Sequence, residues 1–178
     1  MKYFIGTKWN TKKFITKKNE LEEIMLEMGL EKAVDETEIV SKINEEICRN
    51  KMSIEKIVKE LVKFNTLFLE DENQNMIGFV IFDINYKESY IKIDYLCSME
   101  TYKGNGKILL DKIKEYATKA DIDKIILEPG LDRKIIKYYT DNGFQEEGWN
   151  MVYTIIKGGK TIRKRKNKQN TKTRKNQE

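Results

Sequence analysis

The chain has 178 residues, 39% hydrophobic and 35% charged, which suits a single domain with a core of useful size and contains no apolar run long enough to cross a bilayer. It has no histidine and two cysteines, Cys48 and Cys97, neither in a CxxC pair; this excludes histidine triads, HExxH zinc sites and imidazole proton shuttles, and indicates neither a cysteine zinc site nor a disulfide framework. The net charge of +5 is unevenly spread, because ten Lys or Arg and a single acid (Glu178) lie from Lys157 onward, leaving 24 basic and 28 acidic residues in the body.

Any catalysis therefore falls to carboxylates, tyrosine, lysine, cysteine, backbone dipoles or a bound cosubstrate. The two cysteines read as packing residues. Residues 1–16 alternate apolar and polar side chains among several lysines. They lack the continuous apolar stretch and cleavage site of a secretory signal, so the expected location is intracellular, cytoplasmic or nuclear.

Three helical stripes follow. Leu21, Ile24, Met25 and Met28 keep i, i+3, i+4, i+7 spacing, with Asn19 and Glu22 suited to a cap. Ile39, Val40, Ile43 and Ile47 form a second stripe, after Asp35 and Glu38. Ile54, Ile57, Val58, Leu61 and Val62 form a third, after Ser53. The period then changes to two, predicting strands over 66–70, 76–85 and 90–98 joined by polar turns into an antiparallel meander. In the last of these, strict alternation puts Ile91, Ile93, Tyr95 and Cys97 on one face and Lys92, Asp94, Leu96 and Ser98 on the other.

A glycine turn, Gly104-Asn105-Gly106, precedes a helix with Leu109, Leu110, Ile113, Tyr116 and Ala117 on one face. A short strand is expected over 124–128, then a turn at Pro129-Gly130, a helix from the Asp132 cap to Asn142 with Gly143 as its stop, and a strand over 152–156. A strand-helix-strand unit with so short a crossover makes its two strands parallel, and the whole is an α+β domain on one mixed sheet. The domain spans 1–157. The tail, 158–178, has Ile162 as its one apolar residue, so it is expected to be disordered. It offers non-specific nucleic-acid contact through phosphate charges, or simply a solubilising extension; it has no aromatic residue for stacking on bases.

Tyr102-Lys103-Gly104-Asn105-Gly106-Lys107 lies where a strand gives way to a helix. Convergent backbone N–H groups, the helix N-terminus and two lysines make this a cradle for a phosphate or pyrophosphate; the alternative is a plain connecting turn. It is not a P-loop, since Gly106-Lys107 is followed by Ile108 and no glycine stands five residues earlier. The dinucleotide fingerprint finds a ribose-binding acid in Glu128 but fails at its third glycine, where Leu109 stands.

The segment from Thr101 to Gly106 resembles the cofactor motif [RQ]-x-x-G-x-[GA] of the GNAT superfamily of N-acetyltransferases. Both glycines and the apolar helix match, while Thr101 replaces the Arg or Gln and Ser98 the usual preceding proline. Met76-Ile77-Gly78-Phe79-Val80 is similar to the family's IVGF strand, and Ile136 to Phe144 to its FYxxxGF segment, in the same order.

The resemblance implies a GNAT-like fold, a mixed and largely antiparallel sheet with helices on both faces. It implies acetyl transfer from acetyl-CoA to a primary amine of a small molecule or protein. The strands around 96–98 and 124–128 should splay apart around the cosubstrate, with Leu96, Cys97 and Ser98 along it and the amides of Lys103, Gly104, Asn105, Gly106, Lys107 and Ile108 at its pyrophosphate. Tyr139 matches the general-acid tyrosine, with packing as its other reading. Asp94 and Glu128 are the candidate bases through a water. Cys97 as an acyl carrier is the weaker alternative to packing. No metal and no membrane partner is expected. The departure at Thr101 keeps a second reading open: a catalytically degenerate scaffold with a nucleic-acid-interacting tail.

Overall fold

The computed structural model describes residues 1–43, 47 and 53–156. The tail at 158–178 and Cys48 lie outside the described residues.

The centre of the molecule is the meander. Strand β3 (Asn65–Glu70), β4 (Met76–Asn85) and β5 (Tyr90–Ser98) pair antiparallel in sequence order. β4 is the most buried strand because both its faces are covered. Val80, Phe82 and Ile84 enter one apolar cluster, and Phe79 and Ile81 enter the other. On the first face lie α1 (Ile15–Glu27), α4 (Asn105–Lys119) and α5 (Arg133–Asp141), whose buried residues Leu21, Leu109, Leu110 and Tyr139 belong to that cluster. On the second face lie α2 (Glu36–Ser41) and α3 (Ile54–Lys63), through Ile39, Ile57 and Leu61. A Cβ at Gly78 would meet Leu109 Cδ1 at 3.4 Å, so this glycine lets α4 settle closely on β4.

Past β5, β6 (Lys124–Leu127) joins in parallel, as the short crossover through α4 requires. Then β8 (Asn150–Thr154) pairs antiparallel with β6, and β7 (Gln145–Glu147) with β8. On the other edge β1 (Lys2–Phe4) lies antiparallel to β3 and parallel to β2 (Glu31–Lys32). The order is β2-β1-β3-β4-β5-β6-β8-β7, a mixed, largely antiparallel sheet with helices on both faces.

Several expectations need correction. α1 begins at Ile15 and places Asn19 inside the helix, since packing of Leu21 and Met25 draws the preceding turn into it. The second stripe is a short helix, capped by Asp35 accepting from Glu38 N and ended at Ser41; Ile43 lies beyond it, 44–46 lie outside the described residues, and Ile47 reaches the core separately. The last strand runs two residues earlier than its apolar stretch, because a turn at Gly148 (φ +64°) pairs it with β7. Cys97 packs against the second cluster as expected, but as a disulfide sulfur and not as a free thiol.

The largest correction is in β5. Its register against β4 runs Ile81↔Tyr95, then Phe82↔Ile93, so Asp94 is an extra residue with no partner in the ladder. This bulge reverses the phase of the strand. Ile91, Ile93 and Leu96 go to the first cluster, and Tyr95 and Cys97 to the second. Strict alternation placed Leu96 with Asp94; the bulge separates them.

One ionic network ties the N-terminal edge together. Glu38 accepts from Lys2 Nζ, from Lys42 Nζ at 2.8 Å and from Val34 N at 2.6 Å, while Lys42 also bonds Glu70. Burial alone would raise the Glu38 pKa, but these donors outweigh it and hold the carboxyl at about 2. A folded pKa below the unfolded 4.5 gives stability that is full above about pH 4.5 and fades as pH falls toward 2. Glu38→Gln is expected to cost roughly 1–3 kcal/mol at pH 7 and much less near pH 2.5, read from denaturant melts at both.

Candidate active site

The pairing of β5 with β6 stops at Ile93↔Leu127, although β5 continues to Ser98. β6 ends there and the chain turns away through Pro129-Gly130, with Gly130 at φ +71°. Beyond the last pair, residues 94–98 have an edge with no strand against it among the described residues. The opening is a cleft of about 470 Å³ between β5, the start of α4 and α5.

One end of the cleft is built by the glycine turn. Gly104 caps α4 in the left-handed region at φ +97°, a conformation that disfavours any side chain. Gly106 follows in helical geometry, where its missing side chain has a different consequence: a Cβ there would lie 2.8 Å from the Tyr138 hydroxyl and 3.9 Å from Ser98 Oγ. Tyr138 Oη is buried and has no hydrogen-bond partner among the described residues. Burial first, and the charge of Asp111 second, push its pKa up to about 12, so it stays a neutral donor. Gly106 and Lys107 also carry amides of the first helical turn, which have no acceptor within the helix. The cradle thus presents donors without acceptors among the described residues, and it is lined by Lys134 and by Lys107, whose ammonium pairs with Asp111 at 2.5 Å. A phosphate-bearing group such as the pyrophosphate of a CoA thioester fits this donor set.

Nine of the residues expected at the site line this one cleft: Asp94, Leu96, Cys97 and Ser98 from β5; Gly104, Gly106 and Lys107 from the turn; then Glu128 and Tyr139. Three do not. Lys103 is exposed in the turn. Asn105 is buried, and its amide reaches back to Tyr102 O at 3.4 Å. Ile108 lies on the exposed face of α4, and its amide is spent on Gly104 O at 3.1 Å, the first bond of the helix. As a disulfide, Cys97 presents no thiolate to the cleft.

Tyr139 is buried and packs edge-on against Tyr138 and Phe144, with ring centroids 5.3 and 5.6 Å away. Burial, and then its neighbour Tyr138, raise its pKa well above that of a free phenol. Asp94, on the bulge, has its pKa raised by burial, partly offset by Lys92. Lys92 stands 3.5 Å from both Asp94 and Glu128, so the two candidate bases share one cation. Toward α3 a second hollow of about 370 Å³ contains Glu60, Lys63 and Lys92, and shares Asp94, Tyr95 and Glu128 with the cleft.

Sequence reasoning missed Tyr138, Lys134 and Lys92. Lys134 carried a faint signal, a cation in the first turn of a helix, where the dipole disfavours it unless an anion is near. Tyr138 and Lys92 had none beyond their period.

The model of the acetyltransferase (GNAT) family matches residues 42–144. Among solved structures, GCN5 of Tetrahymena superposes with a TM-score of 0.57 at 18% identity, covering 70% of this chain and 91% of that one. The ribosomal-protein-S18-alanine N-acetyltransferase of Escherichia coli gives 0.56 at 15% identity, covering 70% and 92%. At such identities these likenesses speak to the fold. No curated protein sequence matches significantly. The family match spans more than half the chain and includes the glycine turn, Tyr139 and most of the cleft; the chain belongs to the GNAT family of acetyltransferases.

Proposed function

We propose that the chain transfers an acetyl group from acetyl-CoA to a primary amine of a small molecule or protein. The supporting observation is the cleft left where β5 and β6 part, closed at one end by the Gly106 cradle and its unused Tyr138 donor. Acetyl-CoA supplies the activated thioester. Gly106, Lys107 and Tyr138 hold its phosphates, and Leu96 and Ser98 border its extended arm. The hollow beside Asp94 and Glu128 admits the amine, and its acids favour a cationic acceptor. Tyr139 gives its proton to the departing thiolate, and Asp94 takes one from the amine through a water.

Titration calorimetry of acetyl-CoA, with CoA and NAD as comparators, tests the reading. Binding of the first two and not of NAD is expected, followed by thiol release with an amine panel. Failure of both CoA species to bind would overturn it, and binding without turnover would favour the scaffold reading.

Asp94 gives a finer expectation. Its folded pKa lies above the unfolded 3.8, so its ionisation costs stability that is lost as pH rises through the folded value. Asp94→Asn should therefore stabilise the fold slightly at pH 7. It should also lower kcat/KM about tenfold and flatten the acid limb of the pH–rate profile. A variant that keeps that limb would remove Asp94 from the mechanism.

A further inference from the structure

A third cavity, of about 540 Å³, lies at the far end of the β4–β5 hairpin from the glycine turn, under the N-terminal segment. Five lysines, Lys8, Lys13, Lys17, Lys87 and Lys92, line it against a single acid, Asp83. Lys8 is paired with Asp83, Lys17 with Glu20, and Lys92 with Asp94 and Glu128. Lys13 and Lys87 have no carboxylate within 4.0 Å among the described residues. The first nineteen residues, which supply three of these lysines, hold six lysines and no acid.

The same cavity is walled by aromatic rings, two of which lie under lysine ammonium groups that must turn toward a phosphate for a base to stack there. Phe14, Tyr86 and Tyr90 line it. Tyr86 turns its hydroxyl inward to Tyr116 Oη at 3.3 Å, leaving its ring as the contribution to the wall. Lys13 Nζ lies 5.3 Å from the Phe14 centroid, and Lys17 Nζ 4.8 Å from that of Tyr86. The wall is fixed from behind. Trp9, fully buried, meets Phe14 at 5.2 Å and Tyr86 edge-on at 5.8 Å. Asp83 Oδ1 is a buried acceptor without a partner among the described residues, suited to a base N–H rather than to another anion.

Cations beside aromatic faces, in a hollow of small-molecule size, form the donor set for a flat ring that carries phosphate. Inorganic phosphate alone leaves the rings unused, and an acidic peptide leaves them without a stacking partner. We propose that this cavity is a second ligand site, which takes a phosphorylated nucleobase: a free nucleotide or one link of a single-stranded polynucleotide. It lies outside the acetyl-CoA cleft, shares only Lys92 with the amine hollow, and does not rest on that activity.

Trp9, packed against Phe14 and Tyr86, provides a readout local to the wall of the cavity. In the full chain carrying Trp149→Phe, UMP and octauridylate should both change Trp9 emission, and uridine at equal concentration should not. Lys13→Glu with Lys87→Glu should raise the apparent Kd at least about tenfold, and the Gln pair should give an intermediate loss in variants of unchanged circular dichroism. Octauridylate binding well over tenfold tighter than UMP, with a steeper salt dependence, would identify a polynucleotide as the source; equal affinities would identify the free nucleotide. Silence at Trp9 with both probes, a response indifferent to Lys13 and Lys87, or an equal response to hexaglutamate would overturn the proposal.

Discussion

Tyr139→Phe is expected to lower kcat on the order of 10³-fold while changing acetyl-CoA affinity by no more than about twofold. The ring is held on both sides, by Tyr138 and by Phe144, and it is buried in the main apolar cluster. Phenylalanine keeps that packing, so the variant should melt close to the parent. What it loses is one proton at the edge of the cleft. Burial raises the phenol pKa well above its usual value, so Tyr139 stays protonated throughout the working range. A donor of that kind produces no falling limb in the pH–rate profile below about pH 10, because the free phenol already titrates there and this one titrates higher. Tyr138→Phe should separate from it cleanly. That hydroxyl faces the Gly106 cradle, so its removal should raise the KM for acetyl-CoA about tenfold and leave kcat nearly unchanged. Stopped-flow thiol release under saturating acetyl-CoA distinguishes the two. If Tyr139→Phe retains kcat within about threefold, the acid is not Tyr139.

What could be read from the sequence follows from which forces are local. Asp132 and Ser53 cap α5 and α3 as their positions suggested, since a cap needs only its own first turn. The Gly104 turn was readable for the same reason, a left-handed residue before an apolar helical stripe. The parallel β5–β6 pair followed from chain connectivity alone. The bulge at Asp94 was not legible: an extra residue in a ladder is defined by the partner strand, and nothing in Ile93-Asp94-Tyr95 marks it. Yet that bulge sends Leu96 to one core and lifts Asp94 out of the ladder beside Lys92. β1, β2 and β7 are two or three residues long and owe their form to the neighbours they pair with. The cradle was half legible. Its glycines announced themselves, but Tyr138 arrives from a helix more than thirty residues on, by tertiary packing.

Those two glycines should respond in opposite ways. Gly104 sits at φ +97°, and a Cβ there meets nothing within 4 Å. Gly104→Ala therefore strains the backbone, by about 1–2 kcal/mol, and leaves the cradle open. Melting should fall by several degrees while acetyl-CoA affinity, measured below the transition, changes little. Gly106 has no such backbone demand. It is a helical residue, where alanine is favoured by up to about 1 kcal/mol. Its Cβ would instead press on the Tyr138 hydroxyl at 2.8 Å, the free end of a side chain that can swing aside. Gly106→Ala should thus fold at least as well as the parent and bind acetyl-CoA about tenfold more weakly. Gly106→Leu carries a branched side chain toward Tyr138 and Ser98, and should lower affinity on the order of 10³-fold with little effect on melting. Calorimetry and thermal melts on the three variants decide it. Should Gly106→Leu bind acetyl-CoA normally, the phosphates lie elsewhere and the donors over Gly106 serve another group; should it fail to fold, Gly106→Ala still separates binding from stability, because its only cost is to the cradle.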